Sequence, residues 1–184
     1  MSIVLTYLTE IIFHMEKTPF STSSASAAMD YNDAIELMFF AYRDFIADPD
    51  KLLRAHGAGR AHHRVLHFVA AHPSLSIAAL LDILGITKQS LARVLRDLID
   101  AGYIEQRIGA NDRRKRLLHL TDKGRRLHDA LLRPQTERFA HLLEEVGEEA
   151  YTQWKYVMAT LINAPNRDFV SRLIETSKLR DTHG

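Results

Sequence analysis

Between Leu80 and Thr121 the chain reads LLDILGITKQSLARVLRDLIDAGYIEQRIGANDRRKRLLHLT. Ser76 can cap a short helix carrying Ile77, Leu80, Leu81 and Leu84, and Gly85 stops it. Thr87 caps a second helix, whose inner stripe is Leu91, Val94, Leu95, Leu98 and Ile99. Gly102 stands where a C′ glycine belongs. Then the period changes. Tyr103, Ile104 and Ile108 form a β-like run, Gly109-Ala110-Asn111-Asp112 a turn, and Leu117, Leu118 and Leu120 a second run. The two helices and the Gly85-Ile86 turn have the proportions of a helix-turn-helix, followed by a small hairpin.

In such a unit the second helix lies in the DNA major groove, and its first residues reach base edges. Here that end is Thr87, Lys88, Gln89 and Ser90, followed by Arg93 and Arg96. With the leucine stripe inward, Gln89, Arg93, Arg96 and Asp100 point outward. Gln and Arg carry the forked groups that read adenine and guanine; Lys88 and Ser90 suit bases or phosphates. A solvated polar face is the plain alternative for this helix taken alone. The hairpin adds Arg107, Arg113, Arg114, Lys115 and Arg116, with Asp112 among them as a local partner that orients one base. Arginines at a hairpin tip suit a narrow minor groove. From Lys88 to Arg126 there are eleven Lys and Arg against five Asp and Glu, a net +6 in a chain whose total is +1. The remainder is therefore −5, and the concentration of positive charge on this segment is the footprint of a nucleic-acid partner.

Working outward, Tyr31 to Ala47 carries a helical stripe of Ile35, Met38, Phe39, Tyr42, Phe45 and Ile46, and Asp48-Pro49-Asp50 is predicted to end that helix. A further helix is predicted over Arg60 to Ala71, closed by Pro73. Downstream, Thr121 caps an amphipathic helix running toward Glu145, which Pro134 should kink or divide. After Gly147 comes a helix with Tyr151, Trp154, Val157, Met158 and Leu161. Asn163 to Asn166 interrupt it, and a last segment carries Phe169, Leu173 and Ile174. There is no internal repeat. The fold class is mainly α with a small antiparallel β hairpin.

At 184 residues the chain is one domain, or one domain with extensions, and long enough for a core without staples. Its 46% hydrophobic and 26% charged residues are ordinary for a soluble globular protein. The absence of cysteine excludes disulfides, thiolate metal sites and thiol redox switches. Residues Ile3 to Phe13 are apolar but too short to span a bilayer, which takes about 20 residues. No basic start precedes them, as a secretory signal would want, so no membrane partner and a cytoplasmic location are expected. Thr18 to Ala28 reads as a flexible linker. Two readings stay open for residues 1–28: a stretch before a true start at Met15 or Met29, or an extra helix that packs on a partner chain.

The run from Leu80 to Thr121 resembles the winged helix-turn-helix of the MarR family of bacterial transcription regulators. The family's wing signature is present as Asp112-Arg113-Arg114 and Leu118-His119-Leu120-Thr121, and Asp122-Lys123-Gly124-Arg125 fits its usual continuation. The resemblance implies a homodimer with N- and C-terminal dimerisation helices, and a palindromic double-stranded operator whose half-sites lie ~34 Å apart. It implies that Arg114 enters the minor groove while Asp112 positions the wing. It also puts Lys88, Gln89, Ser90 and Arg93 at major-groove positions. The expected organisation is an extension at 1–28, an N-terminal dimerisation helix at 29–58, the DNA-binding region at 59–126 and C-terminal dimerisation helices at 127–184. A dimeric sequence-specific regulator is expected, with repression as the commoner mode in such families.

The resemblance further implies a small effector that shifts the dimer between two spacings, by binding one better than the other. Candidates to line its cleft are Phe39, Tyr42, Arg60, His63 and His67. Core packing is the competing reading of the same residues. Five of the ten histidines fall between His56 and His72, and His63 and His67 are i, i+4 on one face, a spacing able to hold a divalent metal. A third ligand would have to come from His62, His119 or an acid. Partly buried, hydrogen-bonded histidines are the plainer alternative, and neither a metal nor another cofactor is expected. An enzyme is not expected: there is no phosphate-binding glycine loop, dinucleotide fingerprint, nucleophile elbow or paired strand-end carboxylates. Two alternatives remain at this stage: a His-ligated metal-responsive regulator, and a winged-helix module that binds protein rather than DNA.

Overall fold

The computed structural model describes residues 31–109 and 115–181. Helix α1 spans Asn32–Ala55 and α2 spans Arg60–Ala71. Strand β1, Leu75–Ser76, leads into α3, Ile77–Leu84, and α4, Lys88–Asp100. Strands β2, Ile104–Ile108, and β3, Arg116–Leu120, precede α5, Asp122–Leu161, and α6, Ala164–Asp181. The chain divides into two compact units, residues 1–39 and 40–184. Of the first, the described part is the opening of α1, where Tyr31, Ile35, Met38 and Phe39 are exposed.

The second unit is built as the caps and stripes dictate. Ser76 Oγ accepts the Ala79 N–H at 3.2 Å and starts α3, and Gly85, at φ 60°, ends it in the left-handed conformation that glycine adopts without steric penalty. Helix α4 buries Leu91, Leu95 and Leu98 against α2, which contributes Val65, Leu66 and Val69. Ile104 and Leu118 close the core from the strands and Leu131 closes it from α5. Each such leucine removed from water contributes roughly 1.5–3 kcal/mol.

The sheet has three strands in the order β1-β3-β2, all antiparallel, with Ile104 opposite Leu120 and Ile108 opposite Arg116. Strand β1 was not foreseen. It is two residues long, Leu75 opposite Leu118 and Ser76 opposite Leu117, too short for any alternation to register.

Three boundaries differ from expectation. Helix α1 does not end at Asp48-Pro49-Asp50 but continues to Ala55 with Pro49 inside it. An internal proline costs about 3 kcal/mol. Here the ring is buried, the following turn buries Leu53 completely, and Asp50 Oδ2 accepts from Arg60 Nε at 2.9 Å. Tertiary packing of that extra turn outweighs the missing N–H. Nor does Pro134 divide α5; the break falls at Gly147, where the sequence separates two helices, at φ 78° and ψ 168°, a region that is essentially glycine's alone. Finally, the break before α6 is confined to Ile162 and Asn163. Pro165 falls in the first turn of α6, where its missing N–H has no intrahelical partner to lose.

Aromatic rings bracket Gly147. Phe139 lies 6.3 Å from Tyr151 and 5.4 Å from Trp154, centroid to centroid, and Phe45 of α1 packs on Phe139 at 5.4 Å. Among the described residues no helix is long and apolar enough to cross a membrane.

Candidate nucleic-acid interface

Thr87 Oγ1 accepts the Ser90 N–H at 3.2 Å and lies 2.8 Å from Ser90 Oγ, so these two candidate contacts also form the N-cap of α4. Behind that cap, Lys88, Gln89, Arg93 and Arg96 are all exposed, opposite the buried leucine stripe. One helix thus separates a packing face from a polar face rich in forked donors. The hairpin stands next in the chain. Arg107 is exposed and its Nε donates to Glu105 Oε1 at 2.9 Å; Lys115 and Arg116 are exposed at its base. The ladder reaches past the strands, with Gly109 N–H donating to Lys115 O at 3.0 Å. Asp112, Arg113 and Arg114 lie outside the described residues.

Groups from other elements hold the C-terminal end of α4 in place. His62 Nδ1 accepts the Gly59 N–H at 3.1 Å, so its neutral ring carries the proton on Nε2, which faces Asp97 Oδ2 of α4 at 3.3 Å. At the same C-terminal end, Tyr103 N–H donates to Leu98 O at 2.9 Å behind Gly102, at φ 72°. The three carbonyls that follow are then taken up by the start of α5. Lys123 Nζ donates to Ala101 O at 2.8 Å, Thr121 Oγ1 to Gly102 O at 2.7 Å, and Thr121 N–H to Tyr103 O at 3.0 Å. Lys123 Nζ also sits 4.6 Å above the Tyr103 ring, and Tyr103 Oη lies 3.2 Å from His56 Nδ1. Lys123 was visible in the sequence only as part of a run after the wing.

The effector candidates are placed as follows. Phe39 and Tyr42 are exposed on α1, and Arg60 is paired with Asp50. His63 is half-buried on α2. His67 lines a cavity of about 530 Å³ with Val69, Pro73, His119, Leu120 and His128. His128, from α5, is the partner that helical spacing on α2 could not reveal; its ring lies 5.9 Å from that of His67. Among the described residues no three His, Cys, Asp or Glu side chains form a group that could hold a metal ion.

Burial pushes His67 down to about 4, and the neighbouring imidazoles of His128, His63 and His72 act in the same direction. Burial also lowers His63 and His119, assisted by His128 and Arg107 respectively. Below the ordinary histidine value the unfolded chain takes up a proton that folded His67 refuses. Stability from this site is therefore complete above about pH 6.5 and is lost as pH falls toward 4. Chemical denaturation at pH 7 and pH 5 should differ by about 2 kcal/mol on its account. His67→Gln is expected to remove that part of the slope; an unchanged slope would place the proton elsewhere.

Comparison with known proteins gives a consistent picture. The HTH-type transcriptional regulator PetP of Rhodobacter capsulatus is 46% identical over 133 residues, covering 72% of this chain and 80% of PetP. A model described as MarR family matches residues 56–115.

The chain belongs to the MarR family.

That places this MarR family chain among transcription regulators and not among enzymes. Solved structures agree in fold. A MarR family transcription regulator superposes with a TM-score of 0.60 at 17% identity, covering 94% of this chain and 99% of that one. A mutant MarR of E. coli complexed with operator DNA gives 0.55 at 17% identity, covering 74% and 100%. An S. aureus MepR mutant bound to an oligodeoxyribonucleotide gives 0.51 at 20% identity, covering 73% and 96%.

Proposed function

We propose that this chain is a homodimeric, sequence-specific DNA-binding repressor of the cytoplasm, modulated by a small effector. The observation that carries the reading is the exposed polar face of α4, with Gln89, Arg93 and Arg96 held opposite three buried leucines. Beside it in the chain stands a basic hairpin. Residues 59–126 then form the DNA-binding region, while 29–58 and 127–184 supply dimerisation. Thr87, Lys88, Gln89, Ser90, Arg93 and Arg96 serve the major groove. Arg107, Asp112, Arg113, Arg114 and Lys115 serve the wing and the backbone around it. Exposed Trp154, Val157 and Leu161 on α5 and Phe169 and Ile174 on α6 support a second copy as the partner. The cavity beside His67 is the proposed effector position.

The test selects a preferred duplex from a random pool with the full chain and titrates it at several salt concentrations against a scrambled duplex. Arg93→Ala should cost about 1–3 kcal/mol and relax discrimination at particular base pairs. Lys115→Ala should weaken every duplex alike and lower the salt slope by about one. Equal losses on every sequence in both variants would sink this division of roles. A wild-type chain that selects nothing and binds with a shallow salt slope would point to a protein-binding module instead.

A further inference from the structure

The end of α4 is tied down more heavily than its fold requires. A helix leaves its last carbonyls without intrahelical partners, and water or a local cap ordinarily serves them. Here Asp97 O, Leu98 O and Ile99 O take the local N–H groups of Ala101, Tyr103 and Gly102, and beyond them Ala101 O, Gly102 O and Tyr103 O also receive donors from one short stretch of another element, Thr121 to Lys123. Lys123 is the member of this set whose bond is charge-assisted. Its ammonium lies at the negative end of the α4 dipole and over the Tyr103 ring, so three attractions converge on one Nζ. Tyr103 in turn reaches back to His56, just past the end of α1. The joint therefore gathers the end of α4, the start of α5 and the segment after α1 around one tyrosine.

We propose that Lys123 is a positioning residue for DNA reading: by fastening the C-terminal end of α4 to the first turn of α5, it fixes the angle at which Gln89, Arg93 and Arg96 are presented. This rests on the DNA-binding reading above. Lys123 is not assigned a contact with DNA. Its removal therefore changes discrimination among sequences, whereas loss of a phosphate contact lowers affinity for all of them and reduces counterion release.

The experiment compares wild type, Lys123→Met and Lys123→Arg. Met keeps length and the apolar stem over Tyr103 but donates nothing; Arg restores donor and charge. Each protein is titrated, at several salt concentrations, into the duplex selected by the wild-type chain and into its scrambled counterpart. The chain has no cysteine of its own, so exposed Ala92 on α4 can be changed to cysteine in each background and spin-labelled. The distance between labels in the dimer then reports where the two α4 helices stand. Lys123→Met is expected to lower the ratio of preferred to scrambled affinity about tenfold, leave the salt slope unchanged and broaden the distance distribution. Lys123→Arg is expected to match wild type in all three. Equal weakening on both duplexes with a slope lowered by about one would make Lys123 a phosphate contact and overturn the proposal. An unchanged ratio and distribution would overturn it as well. A wild-type chain with no preferred duplex would instead overturn the reading beneath it, and the proposal with it.

Discussion

Val157→Asp is expected to separate the proposed homodimer into monomers and cut affinity for a duplex with two half-sites by about 10²–10⁴-fold, while affinity for one half-site barely moves. The size follows from linkage. Once one reading helix is seated, the second binds as if at high local concentration, and that advantage disappears when the chains part. Val157 suits the test because it is 52% exposed in the single chain, beside Leu161 at 60%, so a charge there finds water rather than the core. In a dimer the same carboxylate would be buried without a partner, at a cost of several kcal/mol. Sedimentation with a matched titration on one- and two-site duplexes checks both halves of the expectation. Unchanged sedimentation would remove this face from the interface.

Gly124→Ala carries the largest expected effect on stability. In most helical settings replacing Gly by Ala gains about 1 kcal/mol. Here the sign reverses, because a Cβ at residue 124 would lie 2.0 Å from Tyr103 O. That carbonyl is backbone, already accepts from Thr121 N–H, and cannot turn aside without opening the joint between α4 and α5. Overpacking of this kind and loss of the neighbouring bonds should together cost about 3 kcal/mol. Denaturant titration measures it. A variant as stable as wild type would mean that the first turn of α5 can shift outward freely, and the tight contact at Tyr103 would then have no consequence.

Much of the winged region is legible in the sequence because its signals are local. Ser76, Thr87 and Thr121 each announce a helix by the side-chain oxygen that caps it, and Gly85 and Gly102 end helices by the backbone they alone adopt cheaply. The alternation into β2 and β3 is equally local. Features that depend on distant partners are not legible. Pro49 reads as a stop until the burial of Leu53 beyond it is known. Pro134 reads as a divider yet stays inside the helix, while the boundary read at Gly147 is where the dihedral angles change. Strand β1 exists only because β3 lies beside it, and His128 joins His67 only because α5 passes α2. The proposed reading residues follow from helical spacing, whereas Lys123 acts through a carbonyl 22 positions earlier, which no spacing rule reaches.

The interruption at Gly147 changes what α5 can do as a mechanical part. Unbroken, its 40 residues would make a rod ~60 Å long that carries rotation from one end to the other. Split at Gly147, it is two rods of ~38 and ~21 Å joined through one residue whose dihedral angles are not helical. The bend is held by the volumes of Phe139, Tyr151 and Trp154. Side-chain volume is easily altered by single substitutions. A lineage could thus re-space the two reading heads of the proposed dimer by resizing one ring at this elbow, leaving every proposed base-facing residue as it was.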